Sequence, residues 1–254
     1  MGKSNQSTQE INSQAQNPLG TAPVGGLIAK FAIPAIISML VSAMYNIVDQ
    51  IFIGQGVGML GNAATNVAFP VTTIATALAL LLGIGGASNY NLEMGAGQEK
   101  KASGIAGTAL SSLVISGLIL AVIALVFLKP LLTLFGATTD VMPYAVAYTG
   151  ITALGLPFYI LSVGGNHVVR ADRSPTYSMT CIMIGAIINT ILDPVFIFVF
   201  GWGIKGAAWA TVIGQVVSGV LVIVYFWKFR NMYLTGAMLK PKMPYLKAII
   251  SLGL

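Results

Sequence analysis

The sequence predicts an all-α polytopic membrane protein built as a six-transmembrane-helix bundle, and three observations predict it. Only 8% of the 254 residues are charged and 56% are hydrophobic, whereas about 25% charged residues are usual in a soluble domain. Six apolar runs each reach the ~20 residues a helix needs to cross a bilayer core. The basic residues fall in the breaks between these runs or near the runs' ends. On alternate segments stand Lys3, Lys30, Lys100, Lys101, Arg170, Arg173, Lys228, Arg230, Lys240, Lys242 and Lys247, against Lys129 and Lys205 on the others. The positive-inside rule then predicts a multi-pass protein of the cell membrane with a cytoplasmic N-terminus.

The same distribution removes other classes. The net charge of +6 forms no compact basic patch, so nucleic acid is not an expected partner. A single cysteine, Cys181, and a single histidine, His167, leave no intrachain disulfide and no Cys/His metal cluster.

Residues 1–26 are rich in Ser, Asn and Gln and lack an apolar stretch followed by a cleavage site, which predicts a flexible cytoplasmic tail. The runs of the bundle, 27–228, fall at about 27–55, 62–92, 104–128, 141–166, 176–200 and 206–227. Asp140, just before the fourth run, is expected to cap it. Segment 229–244, basic and holding Pro241 and Pro244, reads as a cytoplasmic linker between two lobes. A seventh span starts at 245 and stops at Leu254, so the chain is expected to be a fragment or one half of a pair.

Pro34, Pro70, Pro157 and Pro194 lie inside runs, each removing a backbone donor and freeing the carbonyl four residues earlier. Such carbonyls are tolerated in a membrane when buried in protein or lining a wet cavity. Pro194 directly follows a carboxylate, which makes it more than a plain kink. Small residues, as in LLGIGGAS and ASGIAGTALSS, predict close helix packing.

Only Asp49 and Asp193 lie well inside runs. Their surroundings match: YNIVDQIFIGQGVGMLGNAAT around one, INTILDPVFIFVFGWGIKGAAWAT around the other. In each, an asparagine one turn upstream (Asn46 or Asn189) precedes the aspartate, and a Phe-Ile pair, a glycine-bounded turn and two alanines follow. At 1.5 Å per residue, both carboxylates lie ~13 to 15 Å below their turn. The first and fifth runs point the same way, so the acids sit at one level. The match suggests a weak internal repeat of the kind transporters carry. Two ionised carboxylates close together in low dielectric need a cation between them or a proton on one of them. The alternative is a hydrogen-bonded structural pair, although intramembrane acids are functional by default.

On these residues, with KPLLTLFGATTDVMPYAVAY, GNHVVRADRSP and FAIPAIISMLVSAMYNIVDQIFIGQGVG, the chain resembles the multidrug and toxic compound extrusion (MATE) family, most closely its bacterial drug-efflux members. The resemblance covers about 27–254 and implies the N-lobe of a twelve-helix fold, with the C-terminal lobe missing. It implies a cation-coupled antiporter, not an enzyme, which exports organic, often cationic, drugs by alternating access without a cofactor. Its coupling ion would be Na+ or H+. The resemblance places the ion site at Asp49, Asn189, Asp193, Thr211 and Tyr148, with Na+ held by the first four. Asn46 joins them from its spacing to Asp49. Pro34 and Pro194 would let their helices bend. The family's inner loop usually has a glycine where this chain has Arg173.

Met39, Met44, Tyr45, Phe158, Met179 and Met183 would suit a loosely specific drug pocket, and lipid-facing packing explains them equally well. His167 and the Arg170, Asp172, Arg173 group suit an inner gate, though interfacial position accounts for them too. A lipid-linked oligosaccharide flippase of the same superfamily remains an alternative, although it would need basic residues deep in its spans. So does an intramembrane aspartyl protease using the two acids.

Overall fold

The computed structural model describes residues 24–229, 232 and 234–254. Among them there is no strand, and six helices are long and apolar enough to cross a membrane, which makes this a multi-pass helical membrane protein. Helix α1 is Val24–Gly56, α2 is Met59–Gly95 and α3 is Glu99–Val126. A short α4, Leu128–Leu134, precedes α5, Met142–Ala171. Then come α6, Pro175–Pro194, and α7, Ile204–Val224, each continued by one π-helical turn, Val195–Val199 and Tyr225–Phe229. A 3-10 turn, Gly236–Leu239, leads to α8, Met243–Gly253.

The apolar runs set these helices because in hydrocarbon every backbone polar group must be satisfied within the segment. The main core lies between α2, α3, α5 and α7, where Leu82, Leu113, Ile160, Val168 and Val222 are buried. Small residues bring the backbones together there, as the runs predicted. A Cβ on Gly83 of α2 would sit 2.6 Å from the Gly164 backbone of α5, and one on Gly117 of α3 would sit 2.6 Å from Pro157 Cα. Helices run unbroken through Pro34, Pro70 and Pro157. Only Pro194 marks a change of helix type, at its junction with the π-turn, where the missing N–H lets the hydrogen-bond register shift.

Helix α1 is the exception in packing. Ile28, Ile33, Ile36, Met39, Leu40, Met44, Ile47 and Ile51 are all exposed, and α1 rests chiefly on α6. Two matching glycine turns join α1 to α2 and α6 to α7: Gly58 has φ 85° and Gly203 φ 54°, the left-handed region that glycine adopts freely. Val57 packs against Gly203 and Gly56 against Ile197, so the two turns lie side by side. In the orientation that the basic residues predict, this is the outer end.

At the opposite end the turn between α5 and α6 is tight, with Arg173 at the position where the resemblance leads one to expect glycine. Arg173 has φ 65°, the one positive φ of a non-glycine among the described residues, at a strain of roughly 1–2 kcal/mol. The Arg173 N–H donates to Arg170 O at 3.1 Å and the Ser174 N–H to Val169 O at 3.3 Å, closing α5. Beside them the Asp172 carboxylate, buried, accepts hydrogen bonds from the Tyr225 hydroxyl at 2.7 Å and the Tyr90 hydroxyl at 3.2 Å. These ties fasten α2 and α7 to the turn, which gives Asp172 a structural account.

Three local expectations change. Asp140 does not cap α5: the N-cap is Val141, and no side-chain capping bond forms. The tail expected over 1–26 lies outside the described residues as far as 23, and Val24, Gly25 and Gly26 already belong to α1. Of the linker expected over 229–244, residues 230, 231 and 233 lie outside the described residues; Met238 sets its carbonyl against Gly107 of α3, and α8 starts at Met243 rather than 245. Gly85 of α2 and Gly253 of α8 let those helices touch, and the Asn89 amide donates to Ala248 O at 3.0 Å across the crossing.

Candidate functional site

Aspartates on two different helices meet inside this bundle. Asp49 on α1 is 7% exposed and Asp193 at the end of α6 is 0% exposed, and the two carboxyls are close enough to act on each other's charge. Placing an aspartate at the centre of a membrane helix costs about 2.5–3.5 kcal/mol on insertion scales, so each needs compensation. Asp193 has one neutral partner, the Asn189 amide. The amide orientation that satisfies both its ends has Nδ2 donating to Asp193 Oδ2 at 3.2 Å and Oδ1 accepting from the Thr211 N–H at 3.3 Å. Asp49 Oδ1 is buried and has no hydrogen-bond partner among the described residues. A buried acceptor of this kind calls for a donor or a cation.

The helices hold these groups in place through glycine contacts. α6 and α7 cross one turn below Asn189: a Cβ on Gly214 would sit 2.8 Å from Gly185 O and 3.2 Å from Asn189 Cβ. That close approach puts Thr211 of α7 opposite Asn189 of α6. Tyr148 of α5 stands with Thr211 in the wall of the space beside them. Above the acids, towards the glycine turns, Ile53 and Ile197 stand one turn beyond Asp49 and Asp193. With Ile204 and Ala207 they form a buried apolar cluster between the acids and the glycine turns.

A chamber of about 640 Å³ opens beside the pair, between α1, α2, α5 and α7. Asp49, Tyr148, Thr211, Thr152 and Gln215 line it, and Gln50, which hydrogen-bonds Thr65 at 3.1 Å, stands at its α1–α2 edge. A second chamber of about 420 Å³ lies towards the inner end and shares Tyr45, Thr76, Tyr159, Thr211 and Gln215 as walls.

Of the residues expected at the site, Asp49, Asp193, Asn189, Thr211 and Tyr148 come together. Asn46 is placed differently. It lines the Asp49 chamber, but it is exposed and its amide donates to Ser42 O at 2.7 Å, on its own helix. Pro34 lies on α1, fifteen residues before Asp49, and Pro194 adjoins Asp193 at the start of the π-turn. Among the methionines and aromatics singled out for a drug pocket, Tyr45 lines both chambers and Met39 the inner one.

Gln215 and the Thr76–Tyr159 hydroxyl pair, bonded at 2.8 Å, were not expected, and Tyr45 was expected only as a wall of a drug pocket. Two of them carried a signal in the sequence. Tyr45 precedes Asp49 by four residues and Gln215 follows Thr211 by four, which puts each on the same helix face as its neighbour.

Among the described residues no three His, Cys, Asp or Glu side chains cluster. The donors available beside the two carboxylates are therefore amide and hydroxyl oxygens. Hard oxygen donors of low total charge suit an alkali cation or a proton rather than a soft transition metal.

Comparison with known proteins returns one family model and several relatives. The MatE model matches residues 34–195. "Multidrug export protein MepA" of Staphylococcus aureus (strain MRSA252) is 28% identical over 234 residues, which covers 92% of this chain and 52% of the relative. Its counterpart in Staphylococcus haemolyticus (strain JCSC1435) is 31% identical over 196 residues, 77% of this chain and 43% of the relative. The chain thus spans about half the length of the curated relatives it matches. Crystal structures of MATE in a bent and in a straight conformation each superpose with a TM-score of 0.82 at 28% identity, covering 89% of this chain and 51% of theirs.

Proposed function

Because the chain belongs to the MatE family, whose model matches it over residues 34–195, we propose that it forms the ion-coupling half of a drug-exporting antiporter. The reading places it in the plasma membrane with its N-terminus in the cytoplasm. A second lobe of about equal size completes the cavity, and organic, often cationic, compounds are its cargo. The observation that carries the reading is the buried Asp49–Asp193 pair, with Asp49 Oδ1 unpartnered beside a chamber lined by hydroxyl and amide groups.

The cycle uses no covalent step. With the site open to the outside, Na+ or H+ driven by its gradient enters between the carboxylates and removes their mutual repulsion. For Na+, the Asn189 amide turns its oxygen towards the ion, and Thr211 adds its hydroxyl oxygen. For H+, the shared proton bridges the pair. Either event changes what α1 gains by resting on α6. Since the rest of α1 is largely exposed, its repacking meets little resistance within this bundle. Pro34 on α1 and Pro194 with its π-turn on α6 are the points where the helices bend. The bent and straight conformations solved for the structural relative support a cycle of this form. Two gradients thus meet in one charge pair: the ion's entry drives the repacking, and the repacking releases drug outward.

The names of the Staphylococcus relatives favour export over intramembrane proteolysis as the use of two buried aspartates. The cavity wall argues against a carrier of pyrophosphate-linked lipid, since Asp49 is the charged residue of the outer chamber. The test is dye efflux from vesicles holding the complete protein, with sodium and pH gradients imposed separately. Export driven by one or both is expected. Export that depends on ATP alone, with neither gradient active, would refute the reading.

A further inference from the structure

Beneath the acid pair lies a chamber that binding of the coupling ion does not itself require. It runs along α6 from Asn189 to Ile182, seven residues or about 10 Å, and Arg170 of α5 stands in its wall with its Nε donating to Ser178 Oγ at 3.0 Å. Midway stands Asn166 of α5, only 1% exposed, with its Nδ2 donating to Ser162 O at 2.8 Å and its Oδ1 without a partner. Gln215 lines both chambers, and its buried Oε1 likewise has no partner. Buried acceptors of this kind are satisfied by water or by a passing cation.

The two chambers meet at a polar partition. The Thr76 and Tyr159 hydroxyls bond across it at 2.8 Å, joining α2 to α5, and Tyr45 and Gln215 complete the shared wall. On its outer side stands the Asp49 carboxylate, and on its inner side the unpartnered acceptors are neutral amides. The charged and titratable groups at the inner mouth are Arg170 and His167.

We infer that the inner chamber is a hydrated path, lined by this one bundle, by which a small monovalent cation or a proton carried on water leaves the Asp49–Asp193 site for the cytoplasm. The Thr76–Tyr159 pair is its gate. The inference rests on the ion-coupling reading above and adds where the ion goes after binding. The electrostatics suit release rather than storage: neutral acceptors solvate a cation without trapping it, and the Arg170 guanidinium makes the mouth unfavourable for a cation to rest in. A route of this kind keeps the ion apart from the drug, which travels between lobes.

The test is thiol accessibility in oriented membrane vesicles holding the complete protein. Cys181, buried in α6, is first replaced by alanine, and Asn166→Cys and Ser162→Cys are made separately in that background. A membrane-impermeant, positively charged thiol reagent is expected to modify both from the cytoplasmic face at least about tenfold faster than from the outer face, the factor set by ~1.4 kcal/mol of barrier at the partition. Adding Tyr159→Phe, which removes the gate hydroxyl and keeps the ring, is expected to raise drug-independent ion leak and to speed modification from the outer face. Correctly inserted variants that fail to react from the cytoplasmic face, or that react equally fast from both faces without Tyr159→Phe, would overturn the path. Accessibility does not require drug export, so loss of gradient-driven export with accessibility retained would count against the coupling reading and leave the path standing.

Discussion

Replacing Asp193 with asparagine is expected to abolish gradient-driven export while leaving the bundle folded. Asparagine has nearly the shape of aspartate and can still bond Asn189, so helix packing at the end of α6 is kept. What disappears is one of the two charges that make ion entry favourable. Hydrogen bonds to charged groups contribute about 1.5–3 kcal/mol, so the apparent ion affinity should fall by roughly tenfold to a hundredfold or more. Asp49→Asn should do the same, because the Asp49 and Asp193 charges act on each other. The double variant should be little worse than either single one, since the pair acts as a unit. Asp140→Asn, at an exposed position outside the bundle, is the matched control and should transport normally. Efflux rates from vesicles, normalised to inserted protein, decide the matter.

The second large effect is expected from Gly214→Leu, which changes no polar atom of the site. A Cβ there meets Gly185 O at 2.8 Å and Asn189 Cβ at 3.2 Å, so α7 has to move away from α6. Overpacking of this sort costs typically 1–3 kcal/mol, and in a crossing made of backbone contacts the value should fall at the upper end. The displaced helix carries Thr211, whose N–H meets Asn189 Oδ1 at 3.3 Å. Thermal unfolding in detergent should therefore shift down, and ion-dependent transport should be lost in whatever protein remains folded. Gly214→Ala is the graded comparison and should show a smaller loss of both. Unchanged transport in Gly214→Leu would mean that Thr211 and Asn189 need not lie opposite one another.

The helical plan was legible because the signal for it is coarse. A run of ~20 apolar residues bounded by basic segments has few other uses, and the six spans fall within a few residues of their expected ends. Short α4 was missed because the seven residues LKPLLTL look like a loop between spans. The π-turn after Pro194 was anticipated only as a bend, since proline announces a lost hydrogen bond but not how the register recovers. Asp140 looked like a cap from its position alone, yet capping depends on the backbone turn presenting its side chain to the free N–H groups, which Val141 does not allow here.

The site was legible to the extent that charge is conspicuous in an apolar chain. Asp49 and Asp193 stood out, and matched spacing put them at one level before any coordinates did. Asn189 followed from its position one turn away. Asn46 had the same argument behind it, but same-face spacing cannot foresee that an amide will bond its own helix at Ser42 O. Thr211 and Tyr148 came from resemblance rather than spacing, because neutral hydroxyl residues are common in membrane helices. The partition of Thr76 and Tyr159 joins residues 83 apart in sequence. No local pattern carries a contact of that kind; it exists because Gly83 and Gly164 let α2 and α5 approach.

The claim on which the rest depends is that Asp49 and Asp193 together bind the coupling ion. The most direct measurement is the infrared difference spectrum of the carboxyl groups in the purified chain, recorded on adding sodium at constant pH and on stepping the pH at constant sodium. The account predicts a carboxyl change in at least one of the two experiments, absent from both Asp49→Asn and Asp193→Asn and retained in Asp140→Asn. A spectrum that responds to neither ion, or a response that persists in both variants, would contradict it.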